Sequence, residues 1–273
     1  MRSRASVPAV TELVALDFDG VISDSAPESF LVALLTYREL VSPNSCGGHL
    51  ADVSTERAPG IDTIKRDSLY QQFVELMPLG NRAEDFGVAL HALESSVPLP
   101  TQEQYDRWRA TVDASWIQSF HTLFYQIRTT LSINDPEGWR CLMGPYQAFL
   151  DVLRRRSGEV ILTIATAKDR RSVSALLEGY GIADLFSPDR VLDKETGVRK
   201  DAHLRTLRDR FGIPFDHMVF IDDKLNHLEI VSKLGVRCGL AAWGYNGARE
   251  AELARRAGFA VFELDNVERM LFG

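Results

Sequence analysis

The sequence predicts an α/β fold, a Rossmann-like parallel-sheet core interrupted after its first strand by an inserted α-helical domain. Three observations lead there. Short apolar runs without polar alternation occur at Leu13 to Leu16, Val160 to Ala165 and Met218 to Ile221, as expected of strands buried on both faces of a parallel sheet. From residue 143 onward such runs alternate with stretches of helical period, the pattern of an open α/β sheet. Between residues 25 and 142 helical spacing dominates and no buried strand stands out.

The first strand lies in "LVALDFDGVISDS" at 13–25 and runs straight into Asp17, Asp19 and Gly20. In the insertion, Phe30, Leu34, Tyr37 and Leu40 recur at helical spacing, as do Trp108, Val112, Trp116, Phe120, Leu123 and Ile127, the signature of a helix-bundle core. "SPNSCGG" and "VPLPT" punctuate it as loops, with Thr101 a candidate helix cap. The core resumes near Met143 with a helix from Tyr146 to Arg156, whose Phe149, Leu150 and Leu153 share one side. The second strand closes on Thr166. Lys200 precedes a helix at Ala202 to Arg210, and the third strand ends on Asp222 and Asp223. A helix at Asn226 to Leu234, a strand around Cys238 to Ala241, a helix at Ala248 to Ala257 and a strand at Ala260 to Leu264 complete the alternation. The expected domains are residues 1–24 with 143–273 as the core, and 25–142 as the helical insertion.

Composition narrows the function. The chain has 273 residues, above the usual size of one domain, and its 45% apolar and 25% charged residues are those of a globular protein. A net charge of −7 argues against nucleic acid or an anionic membrane surface as the main partner. Cys46, Cys141 and Cys238 are odd in number and unpaired in spacing, which suits a reducing compartment better than a disulfide framework or a zinc site. Arg2 and Arg4 are followed by Ser, Pro, Thr and Glu12 rather than an apolar core, so no signal peptide is expected. No segment approaches membrane-spanning length, and the expected location is cytoplasmic. A helical lid and a dimer face have similar compositions, so the oligomeric state is not read from the chain.

If the strand ends line one sheet edge, Asp17, Asp19, Thr166, Asp222 and Asp223 converge beyond it, where open α/β sheets bind their ligands. With "DFDGV" at 17–21 and its following "SDS", "ILTIAT" ending at Thr166, Lys200 within "GVRKDAHL", and "VFIDD" ending at Asp223, the chain resembles the haloacid dehalogenase superfamily of phosphohydrolases. The four pieces occur in the family's order and cover about half the chain. The insertion matches in position only.

The resemblance implies a Mg²⁺ ion held by the Asp17 side chain, the Asp19 backbone carbonyl and Asp223, with Asp222 acting from nearby or through water. It implies Asp17 as nucleophile, Asp19 as general acid and base, Thr166 and the Ala167 amide as binders of the phosphoryl group, and Lys200 as a fixed cation that also restrains Asp17. The chemistry requires such a set, because a phosphate monoester is an anion approaching carboxylates and the repulsion must be neutralised. Like charges crowded around Asp19 favour its protonated form, and Gly20 permits a tight turn. Lys194 is a rival for the basic role. Many relatives carry an acid where this chain has His227, and the adjacent Asp222 is a candidate to supply the missing carboxylate.

The expected substrate is a small phosphorylated metabolite. True dehalogenases lack the second aspartate, so Asp19 points to phosphorus chemistry. Phosphonoacetaldehyde hydrolases need a cap lysine, for which Lys65 is the sole candidate between residues 25 and 142. Sugar-phosphate mutases share all four motifs, and a phosphoacceptor module or an inactive binding scaffold are the non-enzymatic alternatives.

Overall fold

A computed structural model describes residues 10–80 and 82–273. Arg2 and Arg4, on which the expectation about a signal peptide rested, lie outside the described residues. The chain begins with β1 (Leu13–Leu16) and β2 (Ser23–Asp24). Seven helices follow: α1 (Ala26–Leu40), α2 (Ile61–Arg66), α3 (Ser68–Leu76), α4 (Ala83–Glu94), α5 (Gln102–Arg109), α6 (Ala114–Asn134) and α7 (Pro136–Cys141). The chain then continues through β3 (Gly144–Pro145), α8 (Gln147–Arg156), β4 (Ile161–Ala165), α9 (Arg170–Gly179), β5 (Val191–Leu192) and α10 (Lys200–Phe211). It ends with β6 (Met218–Asp222), α11 (Leu225–Ser232), β7 (Arg237–Ala241), α12 (Ala248–Arg256), β8 (Ala260–Phe262) and α13 (Val267–Phe272). Two compact units result, one of residues up to Ser23 with Pro145–Gly273, the other of Asp24–Gly144.

In the first unit six strands form one sheet in the order β5-β4-β1-β6-β7-β8, every pairing parallel. All four residues of β1 are fully buried, which is why its sequence lacks alternation: a helix-covered parallel sheet has no wet face. Leu13 and Ala15 share a core with Leu204, Leu207, Phe220, Leu228 and Leu240, while the pleat sends Val14 and Leu16 to the opposite face. The helix expected directly after Thr166 is α9, which begins four residues on, and β5 was not read from the sequence. β5 is a two-residue edge strand, too short to register as an apolar run.

The second unit is a helical bundle. Phe30, Leu34 and Tyr37 of α1 are buried, as their spacing predicts. Thr101 caps α5 by accepting the Gln104 amide. The stripe from Trp108 to Ile127 belongs to two helices, because the Asp113 carboxylate accepts the Ser115 and Trp116 amides and starts α6 afresh. Phe120, Phe124 and Leu131 are the buried residues of α6, with Leu123 and Ile127 only partly covered. Gly87 lets the Phe120 ring approach α4, since a Cβ there would lie 2.6 Å from the ring. Buried Glu28 accepts Arg128 at 2.7 and 2.6 Å and the Trp139 indole at 3.1 Å, tying α1 to α6 and α7. Among the described residues, no helix is long and apolar enough to cross a membrane.

Candidate active site

β1 pairs with β4 on one side and β6 on the other, so the residues just past these three strands share an edge. The Asp17 amide donates to Ile221 O at 2.9 Å, extending the ladder by one residue. A tight loop follows. The Phe18 carbonyl accepts the Ile22 and Ser23 amides at 2.9 and 3.0 Å, and Gly20 takes φ +83°, a conformation that costs other residues dearly. The loop turns Asp17 inward, leaving it 8% exposed. Its Oδ1 accepts the Phe18 amide at 2.7 Å and the Lys200 ammonium at 2.7 Å. Oδ2 has no hydrogen-bond partner among the described residues.

Lys200 opens α10 rather than preceding it, and its ammonium is buried. It donates to Ala165 O, at the end of β4, at 2.7 Å and lies 3.4 Å from Asp222 Oδ2. The exposed Lys194 offers its backbone amide to Lys168 O. Asp222 is fully buried, accepting the Lys224 amide on Oδ1 at 2.9 Å and facing His227 Nδ1 from Oδ2 at 2.9 Å. Burial pushes the Asp17 carboxyl up to about 6, against the pull of Lys200. Burial would raise Asp222 too, but His227 and Lys200 beside it hold its carboxyl well below the usual range. Lys200 stays above the ordinary lysine value because Asp17 and Asp222 outweigh its burial.

Asp223 is oriented differently. A Cβ on Gly20 would lie 2.5 Å from its Cγ, and one on Gly244 would lie 2.4 Å from its Cβ, so its side chain fills a gap that two glycines leave open. Its Oδ2 accepts the Tyr245 amide at 2.9 Å, and burial pushes its carboxyl up to about 7. Thr166 is buried one residue past β4, and its Oγ1 accepts the Lys168 amide at 3.1 Å. The amides after Thr166 do not open a helix: residues 167–168 form a bend, and α9 starts at Arg170 under a cap from Asp169. Ala167 is exposed, and its amide carries no hydrogen bond among the described residues. Asp19 turns from Asp17 toward Lys168, whose ammonium reaches Oδ1 at 3.0 Å and Oδ2 at 3.4 Å.

Solved structures share this fold along nearly their whole length. A haloacid dehalogenase-like hydrolase from Streptococcus pneumoniae matches with a TM-score of 0.61 at 12% identity, covering 97% of this chain and 100% of its own. The chain has the haloacid dehalogenase-like fold. A predicted phosphoglycolate phosphatase from Haemophilus somnus (TM-score 0.58, 16% identity, 96% of this chain and 98% of that one) shares this fold. So does a predicted phosphatase from Clostridium acetobutylicum (TM-score 0.57, 14% identity, 96% and 98%). No family model and no curated protein matches the sequence.

Within this haloacid dehalogenase-like core, a divalent cation fits the donors present. Asp17, Asp222 and His227 each offer one ligand atom, all within 4.8 Å of one another, a spread that small side-chain rotations close around an ion with bonds of about 2.1 Å. His227 thus joins the cluster, while Asp223, the ligand implied by resemblance, faces Tyr245. The sequence reading also missed Lys168. Its signal was the spacing in "TAK" at 166–168, a basic residue two positions past the threonine that closes a strand. Lys65, the candidate for Schiff-base chemistry, is ion-paired to Asp24 at 2.9 Å.

Proposed function

We propose that the protein is a Mg²⁺-dependent phosphohydrolase that cleaves a small phosphorylated metabolite through an aspartyl-phosphate on Asp17. One observation carries the reading: the Asp17 carboxylate sits at the sheet edge with Oδ1 held by Lys200 at 2.7 Å and Oδ2 left for attack. A nucleophile needs one oxygen restrained and the other free.

In this reading Asp17, Asp222 and His227 hold the cation, with the Asp19 carbonyl and Asp223 as the further ligands the family resemblance supplies. The ion, when bound, offsets the negative charge of the phosphoryl oxygens. Thr166 and the Ala167 amide orient the phosphoryl group, and Lys200 keeps Asp17 in line while neutralising the buried cluster. Asp17 attacks phosphorus and Asp19 gives the departing alkoxide a proton. Asp19 then takes one from the water that releases phosphate. The phosphatases named among the solved structures of this fold support the reaction class. The helical unit is read as the cap that selects the organic part of the substrate. The three unpaired cysteines support a reducing, cytoplasmic setting.

Phosphate release from p-nitrophenyl phosphate with Mg²⁺, lost in Asp17→Asn, is the expected result. Equal turnover by Asp17→Asn and wild type would refute the assignment.

A further inference from the structure

The turn at 243–246, just past β7, touches both loops that carry the site's carboxylates, and the phosphohydrolase reading leaves it unused. Toward the loop after Asp17, the Trp243 indole Nε1 donates to Val21 O at 3.1 Å and the Tyr245 hydroxyl donates to Ser23 O at 3.3 Å. Toward the end of β6, the Tyr245 amide donates to Asp223 Oδ2 at 2.9 Å and Asn246 Nδ2 donates to Asp223 O at 3.1 Å. Gly244 lies against both at once: a Cβ there would fall 2.4 Å from Gly20 O and 2.4 Å from Asp223 Cβ. The β1–β6 ladder ends with the Asp17 amide on Ile221 O, and beyond that point the turn bridges the two loops.

Two features fix the turn itself. The Trp243 ring packs against fully buried Phe149 of α8, with centroids 4.9 Å apart. Asn246 Nδ2 also donates to Ala241 O, at the end of β7, at 2.9 Å, so one amide group ties that strand's end to Asp223. Both of its N–H donors are thereby spent, and flipping the amide would set an oxygen against two carbonyls. Its Oδ1 is left buried without a partner, which is destabilising. The orientation is held by the two carbonyls in spite of that cost.

We propose that residues 243–246 form a brace that sets the spacing between the Asp17 loop and the Asp222–Asp223 end of β6, with Trp243 and Asn246 as its positioning residues. The inference rests on the cation of the phosphohydrolase reading, which draws its ligands from both loops. Such an ion binds well only when the loops are held at its coordination distances, and the groups behind the ligands maintain that match. Trp243 acts through the main chain at Val21, and Asn246 acts through the main chain at Asp223. Releasing either end lets the separation vary.

The test is calorimetric titration of Mg²⁺ into wild type, Trp243→Phe, Asn246→Ala, their double variant and Val236→Ala, each folded by circular dichroism at the titration temperature. Trp243→Phe keeps a ring against Phe149 and removes the Val21 bond. Each single variant should weaken Mg²⁺ binding by about tenfold, the lower end of what groups behind a metal's ligands are worth. The double variant should also lose about tenfold rather than about a hundredfold, because one released end already frees the spacing and residues acting as a unit are not additive. Val236→Ala truncates a buried side chain at the opposite end of β7, and it should lower Tm with Mg²⁺ affinity unchanged. Unchanged affinity in both single variants, a multiplicative loss in the double variant, or an equal loss in Val236→Ala overturns the brace, as does a wild type that binds no Mg²⁺. Should Asn246→Ala fail to fold, Trp243→Phe decides by the same criterion. Phosphate release from p-nitrophenyl phosphate is read separately. A wild type that binds Mg²⁺ with brace-dependent affinity and releases no phosphate sinks the phosphohydrolase reading alone; an active wild type whose Mg²⁺ affinity neither variant moves sinks the brace alone.

Discussion

Replacing Lys200 with methionine removes the one ammonium that touches both Asp17 and Asp222, at 2.7 and 3.4 Å, and also leaves Ala165 O without its 2.7 Å donor. The methionine side chain nearly fills the volume, so packing loss is small and the cost is electrostatic. Breaking a buried ion pair from one side typically costs ~3–5 kcal/mol. For a unit of roughly 150 residues, at about 2–4 °C per kcal/mol, that lowers Tm by roughly 6–20 °C. The sign of the pH dependence follows from Asp17. Its carboxyl titrates near 6 in the fold against an ordinary 3.8, so the folded state favours the protonated form and is penalised as pH rises through that window. Without Lys200 the penalty extends to higher pH. Urea denaturation followed by circular dichroism at pH 5 and pH 8 should show the variant's deficit larger at pH 8, and millimolar Mg²⁺ should recover part of it by binding the folded state. A deficit under 1 kcal/mol at pH 8, or one of equal size at both pH values, would refute a charge-neutralising role for Lys200.

Three further outcomes follow from the geometry. Gly244→Ala places a Cβ 2.4 Å from Asp223 Cβ and from Gly20 O and should cost ~1–3 kcal/mol by overpacking, whereas Gly158→Ala, with nothing within 4 Å, should stay within about 0.5 kcal/mol of wild type in urea titrations. His203 is 1% exposed, faces Gly197 O at 3.0 Å through Nε2, and has a buried Nδ1 without a partner. Burial, with Lys200 adding to it, holds its imidazole down to about 4. Its contribution is therefore complete above the ordinary 6.5 and lost as pH falls toward 4, at most ~3 kcal/mol. His203→Gln should flatten that part of the stability–pH curve, and an unchanged slope would count against it. The imidazole among the Asp17, Asp222 and His227 donors should favour Mn²⁺ or Co²⁺ over Mg²⁺. Calorimetric titration should find the Mn²⁺/Mg²⁺ affinity ratio falling by about tenfold in His227→Asp, and a constant ratio would remove His227 from the metal's ligands.

Much of the scaffold was legible in the chain because its signals are local. Runs such as Leu13 to Leu16 are apolar without alternation because the sheet they join is covered on both faces, and Thr101 reads as a cap because its side chain bonds an amide three residues on. The break between α5 and α6 was less legible, because Trp108 to Phe120 keeps a helical period across it and only Asp113 marks the stop. At the site, residue types were legible and partnerships were not.

By itself the sequence determined which residues end strands and which carry charge, since both depend on near neighbours along the chain. Tertiary structure alone decided that β1 lies between β4 and β6, and thereby that Lys200 meets Asp17, Asp222 and the Ala165 carbonyl at one point. It also decided that Lys168 takes Asp19, and that Asp223 turns into the space left by Gly20 and Gly244. The reason is physical. A buried charge must find whichever opposite charge or amide the packing brings within about 3 Å, and that partner is set by strand order and close contact, which no local pattern records.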